Sequence, residues 1–326
     1  MHRRTCLGLI TGLAGCSLTD RSEDDHTVRV AISPYLSMSS FHLAWERGYF
    51  REEGLELEVN EIPFTAQIVP LLAGGGLDAA FLVQNPSFLN AVAKGVEARI
   101  VAGREIASPQ CGDAGALYYS ADLFPDGLTD LHQLRGRSLA IVRRATISEF
   151  WLDEILATAG LAGDDVQVIE LPQADAAAAV IEGKIDAMVS QDFDKDPAAI
   201  SGKAVRFMRL ADVLPGYQYT WIVFGERLLR SARPDGVGFL AAYQKGVHAF
   251  LAGESPRFMR DYAERNGLDV ASTLTSCRQT ITPDGAIDID DLARFTNWAV
   301  AKGYCERALS ARELVDTGFL AGIREK

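Results

Sequence analysis

Short apolar runs rich in β-branched residues alternate along the chain with longer stretches in which apolar residues recur every three or four positions. The short runs predict strands and the longer stretches predict helices. Glycines often follow the predicted helices and indicate where they end. The first part of the chain gives strands at residues 28–32, 55–59, 77–83 and 98–102, and helices at 41–48, 65–72 and 86–94.

The same alternation begins again in the middle of the chain. It gives strands at residues 138–142, 166–170, 185–189 and 219–224, and helices at 148–159, 174–182, 234–252, 255–266, 288–302 and 311–323. Strands that alternate with helices through short loops predict parallel sheets covered by helices. We therefore expect two similar α/β lobes, the second inserted into the first. Residues 28–108 and 218–326 form lobe 1 in this prediction, and residues 109–217 form lobe 2.

The first residues have the pattern of an export signal. Arg3 and Arg4 precede an apolar run of about ten residues, which is too short to cross a membrane. The Leu-Ala-Gly-Cys sequence ending at Cys16 resembles the lipobox of bacterial lipoproteins, which implies a signal peptide over residues 1–15 and lipidation of Cys16. Residues 16–27 are polar and aperiodic and predict a tether. The alternative is an ordinary signal peptide with a cysteine at this place.

Composition and charge narrow the class of protein. The chain has 326 residues, of which 48% are hydrophobic and 23% charged, as is typical of a globular protein. Its 32 basic and 44 acidic residues give a formal charge of −12, and removal of residues 1–15 would change this to 30 − 44 = −14. Such acidity argues against nucleic-acid binding, which requires basic residues to neutralise phosphates. In an oxidising compartment a disulfide between Cys277 and Cys305 is a hypothesis.

Motifs for catalysis, cofactors and metals do not stand out. Residues 74–76 lack the Gly-Lys-Ser/Thr of a phosphate-binding loop, and no Gly-x-Ser-x-Gly occurs. Asp192 opens a stretch of alternating aspartates like that of a calcium loop, but Pro197 and Lys203 stand where glycine and glutamate are needed. We expect a polar loop there, and no enzyme activity, cofactor or metal.

Several stretches resemble the substrate-binding proteins of bacterial ABC importers. Residues 43–59 combine a helix that ends in Glu-Arg-Gly-Tyr-Phe with Glu-Gly-Leu before a strand, as the openings of this family do. Residues 72–80, 130–140 and 315–320 are similar to the family's Gly-to-Asp step, its entry to the second lobe and its tail. The likeness covers about residues 28–320. The closest group handles sulfonates, taurine and nitrate, with pyrimidine-precursor-binding relatives.

This resemblance implies a fold and a role. The fold would be a bilobed periplasmic-binding-protein (Venus-flytrap) fold, with two parallel-type sheets flanked by helices and a two-strand hinge. A small-molecule ligand would bind in the cleft, and the lobes would close on it before delivery to an ABC permease and its ATPase. We expect an exported monomer on the periplasmic or cell-surface side of the membrane, held there only by the lipid on Cys16.

Ligand-binding residues are expected at the carboxyl ends of the strands, where loops meet helix N-termini that favour anions. The candidates in lobe 1 are Ser33, Tyr35, Ser39, Ser40, Phe41, Phe64, Thr65, Gln84, Asn85 and Trp221. The candidates in lobe 2 are Arg143, Arg144, Thr146 and Ser148, with Asp192 at the cleft edge. Thr146 and Ser148 have an alternative role, which is only to cap the helix.

The sequence leaves two classes of ligand as alternatives. It also leaves a second class of protein as an alternative to a transport protein. A sulfonate-, taurine- or nitrate-like anion would be held by Arg143 or Arg144 through paired hydrogen bonds. A pyrimidine, riboflavin or aromatic-acid type of solute would stack on Tyr35, Phe41, Phe64 or Trp221, each of which could equally belong to the core. The other class is a sensor domain or a pyrimidine-synthase-like enzyme, although the synthase's Cys-rich iron-binding motif is missing here.

Overall fold

The computed structural model describes residues 26–108, 115–190, 202–275 and 280–324. The strands are β1 (Thr27–Ile32), β2 (Glu56–Glu61), β3 (Ala79–Val83), β4 (Ala98–Gly103), β5 (Ala116–Ser120), β6 (Ser138–Ile141), β7 (Gln167–Glu170), β8 (Ala187–Ser190), β9 (Ala204–Arg209) and β10 (Thr220–Gly225). The helices are α1 (Ser39–Glu46), α2 (Tyr49–Glu52), α3 (Thr65–Ala73), α4 (Pro86–Ala93), α5 (Ile147–Ala157), α6 (Gln173–Ile181), α7 (Leu210–Val213), α8 (Glu226–Leu229), α9 (Arg233–Leu251), α10 (Arg257–Arg265), α11 (Val270–Thr275), α12 (Ile289–Ala301), α13 (Ala311–Leu314) and α14 (Gly318–Arg324).

The strands form two five-stranded sheets. The first has the order β2-β1-β3-β10-β4 and the second the order β7-β6-β8-β5-β9. In the first sheet β1 runs parallel to β2 and β3, and β10 runs antiparallel to β3 and β4. In the second sheet β6 runs parallel to β7 and β8, and β5 runs antiparallel to β8 and β9. The expected parallel sheets are therefore mixed.

The antiparallel strands follow from how the chain passes between the sheets. β4 ends at the carboxyl edge of the first sheet, and the chain enters the second sheet at that sheet's own carboxyl edge, so β5 must run against its neighbours. β10 is antiparallel for the same reason after the return crossing. The sequence pattern predicted β10 and missed β5 and β9. β5 is buried on both faces and shows no polar alternation from which to recognise it.

Two antiparallel segments connect the sheets. The amide of Ala107 donates to the carbonyl of Tyr217 at 2.8 Å, and the amide of Gly216 donates back to Ala107 at 2.8 Å. Ile106 and Gln218 form an antiparallel bridge beside them. These contacts form the two-strand hinge that the resemblance implied. The lobe boundaries at 108/109 and 217/218 stay predictions.

The C-terminal region joins helices that flank both sheets. α12 packs against α4, and Phe295 of α12 lies edge-on to Phe150 of α5 with ring centroids 5.5 Å apart. The helix predicted over residues 311–323 is broken into α13 and α14, because Val315 pairs with Ile100 of β4. None of the helices in the described part of the chain has the length and apolarity needed to cross a membrane.

Candidate functional site

The carboxyl edges of the two sheets face each other across a cleft. Phe64 lies in the loop after β2, and Arg143 lies in the loop after β6. The guanidinium carbon of Arg143 is 6.0 Å from the centroid of the Phe64 ring. The structure thus brings together two predicted site residues that come from different sheets.

The two neighbouring arginines of the β6–α5 loop have different surroundings. An Nη atom of Arg144 donates to Glu149 at 3.2 Å, and the backbone amide of Arg144 donates to Glu170 at 3.2 Å. Arg143 is exposed, and its guanidinium pairs with no carboxylate among the residues that the structure describes. Of the two arginines, Arg143 is the one that presents an uncompensated positive charge.

Two hydroxyls hold this loop in place. Thr146 donates to the carbonyl of Arg143 at 2.7 Å, and Ser148 donates to the same carbonyl at 3.2 Å. Ala145, which directly precedes Thr146, adopts a left-handed conformation with φ of +53°. This conformation costs a non-glycine residue about 1–3 kcal/mol and persists only where neighbours enforce it, often at functional sites. Thr146 and Ser148 therefore fix the backbone of the loop through the Arg143 carbonyl, and the Arg143 side chain remains exposed.

Glu149 is the residue that sequence reasoning missed. Its carboxylate accepts hydrogen bonds from the amide of Ala145 and the hydroxyl of Tyr304, each at 2.7 Å, and lies 3.3 Å from Lys302 Nζ. Burial alone would raise the pKa of this nearly inaccessible carboxyl, but the Ala145 amide, the Tyr304 hydroxyl and the Lys302 ammonium together lower it. The signal in the sequence is Thr-x-x-Glu ending at Glu149, the spacing of a capping box.

The loop after β1 contributes an exposed ring. Tyr35 is 43% exposed, and burial of the rest of the residue raises the pKa of its hydroxyl. Ser33 is partly exposed at the start of the same loop. Ser39 donates to the carbonyl of Leu36 at 2.6 Å, and Ser40 is buried with its Oγ 3.3 Å from the Tyr243 hydroxyl. The Ser39 hydroxyl therefore stabilises the start of α1, and the Ser40 hydroxyl links α1 to α9.

The predicted aromatic wall separates into exposed and buried rings. Phe64 is 47% exposed at the cleft. Phe41 is fully buried, with ring centroids 5.6 Å from Phe50 and 5.3 Å from Phe81, which is a core position. Trp221 is also buried, and its indole Nε1 has no hydrogen-bond partner within the described residues.

The polar candidate side chains that follow β2 and β3 form hydrogen bonds with other groups of the protein. Thr65 donates weakly to the carbonyl of Val83 at 3.4 Å, and the Asn85 side chain caps α4 by accepting from the Ser87 amide at 2.8 Å. Gln84 is buried beside the hinge, where it donates to the carbonyl of Gln218 at 2.9 Å and accepts from the Tyr217 hydroxyl. Gln84 therefore joins the hinge to β3.

Comparison with known proteins identifies the family. A sequence model described as NMT1/THI5 like matches residues 37–254, about two thirds of the chain. The chain belongs to the NMT1/THI5-like family. A search of curated proteins found no significant match.

Solved structures with the same fold as this NMT1/THI5-like chain include sulfonate- and nitrate-binding proteins. The periplasmic aliphatic sulphonate-binding protein SsuA from Escherichia coli is 18% identical, with a TM-score of 0.71 over 89% of this chain and 92% of that one. The alkanesulfonate-binding protein SsuA from Xanthomonas axonopodis pv. citri, bound to MOPS, is 18% identical, with a TM-score of 0.68 over 89% and 98%. The periplasmic nitrate-binding protein NrtA from Synechocystis PCC 6803 is 10% identical, with a TM-score of 0.71 over 93% and 89%. The fold is the bilobed fold of periplasmic binding proteins.

Some predicted positions of this NMT1/THI5-like chain lie outside the described residues, namely Cys16, Asp192 and Cys277. Cys305 is a free, buried thiol whose Sγ lies 3.9 Å from the carbonyl oxygen of Pro86. Because Cys277 lies outside the described residues, the hypothetical disulfide between Cys277 and Cys305 stays a prediction.

Two surface cavities have linings that include none of the predicted ligand residues. One of about 540 Å³ is lined by His42, Trp45, Glu46, Phe258, Asp261, Glu264 and Arg265. The other, of about 350 Å³, is lined by Leu123, Phe124, Pro125, Asp126, Gly127, Gln133 and Arg137. Within the described ranges no group of three or more His, Cys, Asp or Glu side chains is arranged to hold a metal ion.

Proposed function

We propose that this chain is the extracytoplasmic solute-binding lipoprotein of an ABC importer. It captures a small organic anion of the sulfonate, taurine or nitrate type in the cleft and delivers it to a permease. Membership of the NMT1/THI5-like family and the fold shared with sulfonate- and nitrate-binding proteins support this role. In this proposal the chain acts as a monomer and binds its solute without converting it.

The observation that carries the choice of an anion is the guanidinium of Arg143, which pairs with no carboxylate in the described part of the chain. It lies in the loop before the N-terminus of α5, on the side of the cleft opposite Phe64. Guanidinium groups bind sulfonates and carboxylates through two parallel hydrogen bonds, and helix N-termini add favourable dipoles. An anion seated between Arg143 and Phe64 would therefore contact both lobes at once.

Closure of the lobes would strengthen this contact. Each half of the site is hydrated when the lobes are apart, and hinge closure brings the halves together and expels water. Charge–charge attraction grows as the local dielectric constant falls. The hinge segments at Ala107 and Tyr217 are the place where the chain can bend while both sheets stay intact.

The test is calorimetric titration with ethanesulfonate, taurine and nitrate. We expect a micromolar Kd, about −8 kcal/mol, for at least one of them. Arg143→Gln should weaken binding of that ligand at least about 30-fold, because it removes two hydrogen bonds to a charged group that contribute about 1.5–3 kcal/mol each. Arg260→Gln, an exposed arginine on α10, is the matched control and should leave the Kd within about twofold. An unchanged Kd in Arg143→Gln would rule out the arginine as the anion ligand.

A second candidate is an aromatic or heterocyclic solute in the same transport role. The exposure of the Tyr35 and Phe64 rings favours it, since exposed rings in a cleft provide faces on which a flat ligand stacks. Thermal-shift screening with pyrimidines and riboflavin, beside ethanesulfonate, taurine and nitrate, distinguishes the two candidates. Stabilisation by neutral rings and by none of the anions would select the second candidate.

The membrane anchor is a separate part of the proposal. The sequence that ends at Cys16 supports lipidation of its thiol after removal of residues 1–15. Mass spectrometry of the N-terminal peptide from membrane fractions should find an acylated Cys16, and Cys16→Ser should release the protein from the membrane. An unmodified Cys16 in mature protein would contradict the anchor while leaving the binding role in place.

A further inference from the structure

The two adjacent arginines of the β6–α5 loop differ in whether a carboxylate of the described residues pairs with their positive charge. Arg144 and Lys302 carry two positive charges, and Glu149 and Asp153 carry two negative ones. Arg144 and Lys302 lie 3.2 and 3.3 Å from Glu149, and Lys302 lies 3.0 Å from Asp153. This group of four, which we call the Glu149 cluster, is neutral as a whole. Arg143 stands beside it with its charge unpaired among the described residues.

Glu149 also fixes the shape of the loop that carries Arg143. Its carboxylate accepts from the Ala145 amide at 2.7 Å, which helps to hold Ala145 in its left-handed conformation. Only 1% of the Glu149 side chain is accessible, so the carboxylate is fixed by its partners and not by solvent. The loop conformation and the pairing of Arg144 therefore depend on the same buried group.

The other partners of Glu149 are attached to the first sheet. The Tyr304 hydroxyl donates to Glu149 at 2.7 Å, while the Tyr304 carbonyl accepts from Asn90 of α4 at 2.8 Å. Farther along the chain, the amide of Asp316 donates to Ile100 of β4 at 3.0 Å. The segment that carries Tyr304 thus belongs with the first sheet, and its contact with Glu149 reaches across to the second. Glu149 is held from both sides of the cleft.

We propose that Glu149 is a specificity-determining positioning residue, which holds Arg144 in an ion pair so that Arg143 is the loop cation left unpaired among the described residues and the site selects singly charged anions over doubly charged ones. This inference rests on the proposed function of the cleft. A dianion enclosed with Arg143 alone would keep one negative charge that is both desolvated and unpaired, which is strongly unfavourable. The carboxylate of Glu170, which accepts from the Arg144 amide, adds further repulsion.

The test compares two ligands that share an ethyl group and differ in charge. Ethanesulfonate carries one negative charge, and ethyl phosphate at pH 8 carries two. The quantity measured by calorimetry is the ratio of their Kd values. We expect the wild-type protein to prefer ethanesulfonate at least about 100-fold, and Glu149→Gln to reduce that preference at least about tenfold, because Arg144 is released toward the ligand.

The double variant separates specificity from a general loss of structure. Glu149→Gln with Arg144→Gln removes the released cation and should restore the wild-type preference. If Glu149→Gln weakens both ligands equally, or if the double variant fails to restore the preference, Glu149 has a structural role only and the inference is wrong. Circular dichroism of each variant establishes that it is folded.

Two single variants of exposed residues test the same inference should Glu149→Gln not fold. Arg143→Gln should lose at least about 30-fold in affinity for ethanesulfonate, whereas Arg144→Gln should lose less than about threefold. Equal losses would overturn the inference while leaving the cleft as an anion site. If the wild-type protein binds neither ligand nor any other anion, the anion-binding function itself fails, and the inference with it.

Discussion

His42 shows how burial changes the chemistry of one residue. Its ring stacks on Phe258 with centroids 3.7 Å apart, and its Nε2 has no hydrogen-bond partner within the described residues. Burial, with a smaller contribution from the nearby Arg265 charge, lowers the pKa of His42 to about 4. Between about pH 6.5 and pH 4, the His42 imidazole is therefore largely neutral in the folded protein and largely protonated in the unfolded chain.

The pH dependence of stability follows from this pKa. Between about pH 6.5 and pH 4 the unfolded state binds a proton at His42 that the folded state does not, so the free energy of unfolding falls as the pH falls. The loss due to His42 is roughly 3 kcal/mol. His42→Phe keeps a ring against Phe258 and removes the titration. Urea unfolding at pH 7.5 and pH 4 should show a smaller loss in the variant, and equal losses would contradict the assignment.

Arg104 is a buried cation whose partners fix its role. Its guanidinium donates to the Tyr243 hydroxyl at 3.0 Å and to the carbonyl of Ser37 at 2.8 Å, and lies 3.4 Å from the Glu105 carboxylate. It thereby ties the loop after β1 to the start of the hinge. Residues of this kind support the site without facing a ligand.

Removal of the Arg104 charge should lower the free energy of unfolding substantially. In Arg104→Met the Glu105 carboxylate loses a buried partner, and breaking a buried pair from one side costs about 3–5 kcal/mol. Arg260→Met, which changes an exposed arginine, should alter the free energy of unfolding by less than about 0.5 kcal/mol. Chemical denaturation measures the free energy of unfolding of both variants. Similarly small changes in the two would contradict the structural role of Arg104.

At the scale of elements, α1 and α9 approach each other closely at a glycine. A Cβ added at Gly246 would lie 2.5 Å from Ala44 Cβ and 2.6 Å from the carbonyl oxygen of Ser40. On the same helix, a Cβ at Gly238 would lie 3.3 Å from Glu53 Cβ, a contact that a small shift relieves. The helix tolerates an added methyl group at one glycine and not at the other.

This difference gives a matched pair of variants. Gly246→Ala should destabilise the protein by about 1–3 kcal/mol, because overpacking forces the helices apart. Gly238→Ala should change the free energy of unfolding by less than about 1 kcal/mol, since the improved helix propensity offsets the tighter contact. Thermal unfolding of both proteins is the measurement. A Gly246→Ala variant as stable as Gly238→Ala would show that the helices are not held at this distance.

Much of the fold could be predicted because its strands and helices have distinct periodicities. β1, β2, β3 and β10 were recognised from apolar runs, while β5 was missed because it is buried without alternation. The rule that ligands bind at the carboxyl ends of strands brought Phe64 and Arg143 to the same cleft. The same rule could not predict the contact between Glu149 and Tyr304. These residues are 155 positions apart, and neither local sequence indicates the other segment.

At the scale of the whole molecule, the proposed capture of an anion is opposed by the protein's own net charge. The formal charge, −12 for the whole chain and 30 − 44 = −14 without residues 1–15, would repel a negative ligand at long range, and the field of Arg143 acts only within about the 8–10 Å over which salt screens charges. Ligand capture is therefore a local event opposed by the global field.

Salt should for this reason speed up capture. Raising the ionic strength from about 0.01 M to about 0.15 M screens the long-range repulsion and should increase the association rate constant of ethanesulfonate roughly two- to tenfold. The dissociation rate constant, set by contacts inside the closed cleft, should change less. Stopped-flow fluorescence measures both. A fall in the association rate constant with salt would mean that the local positive field extends to the cleft entrance.

The second sheet has a further consequence for how such a protein can be modified. β5 to β9 come from one continuous stretch of chain, and the stretch enters and leaves through hinge segments that are hydrogen-bonded to each other at Ala107 and Tyr217. The two ends of this stretch are therefore adjacent in space. In topological terms it is an insertion with neighbouring ends, so a domain exchanged for it would fit the same two crossings but would also have to replace the contacts of α5 with Phe295 and Trp298 of α12.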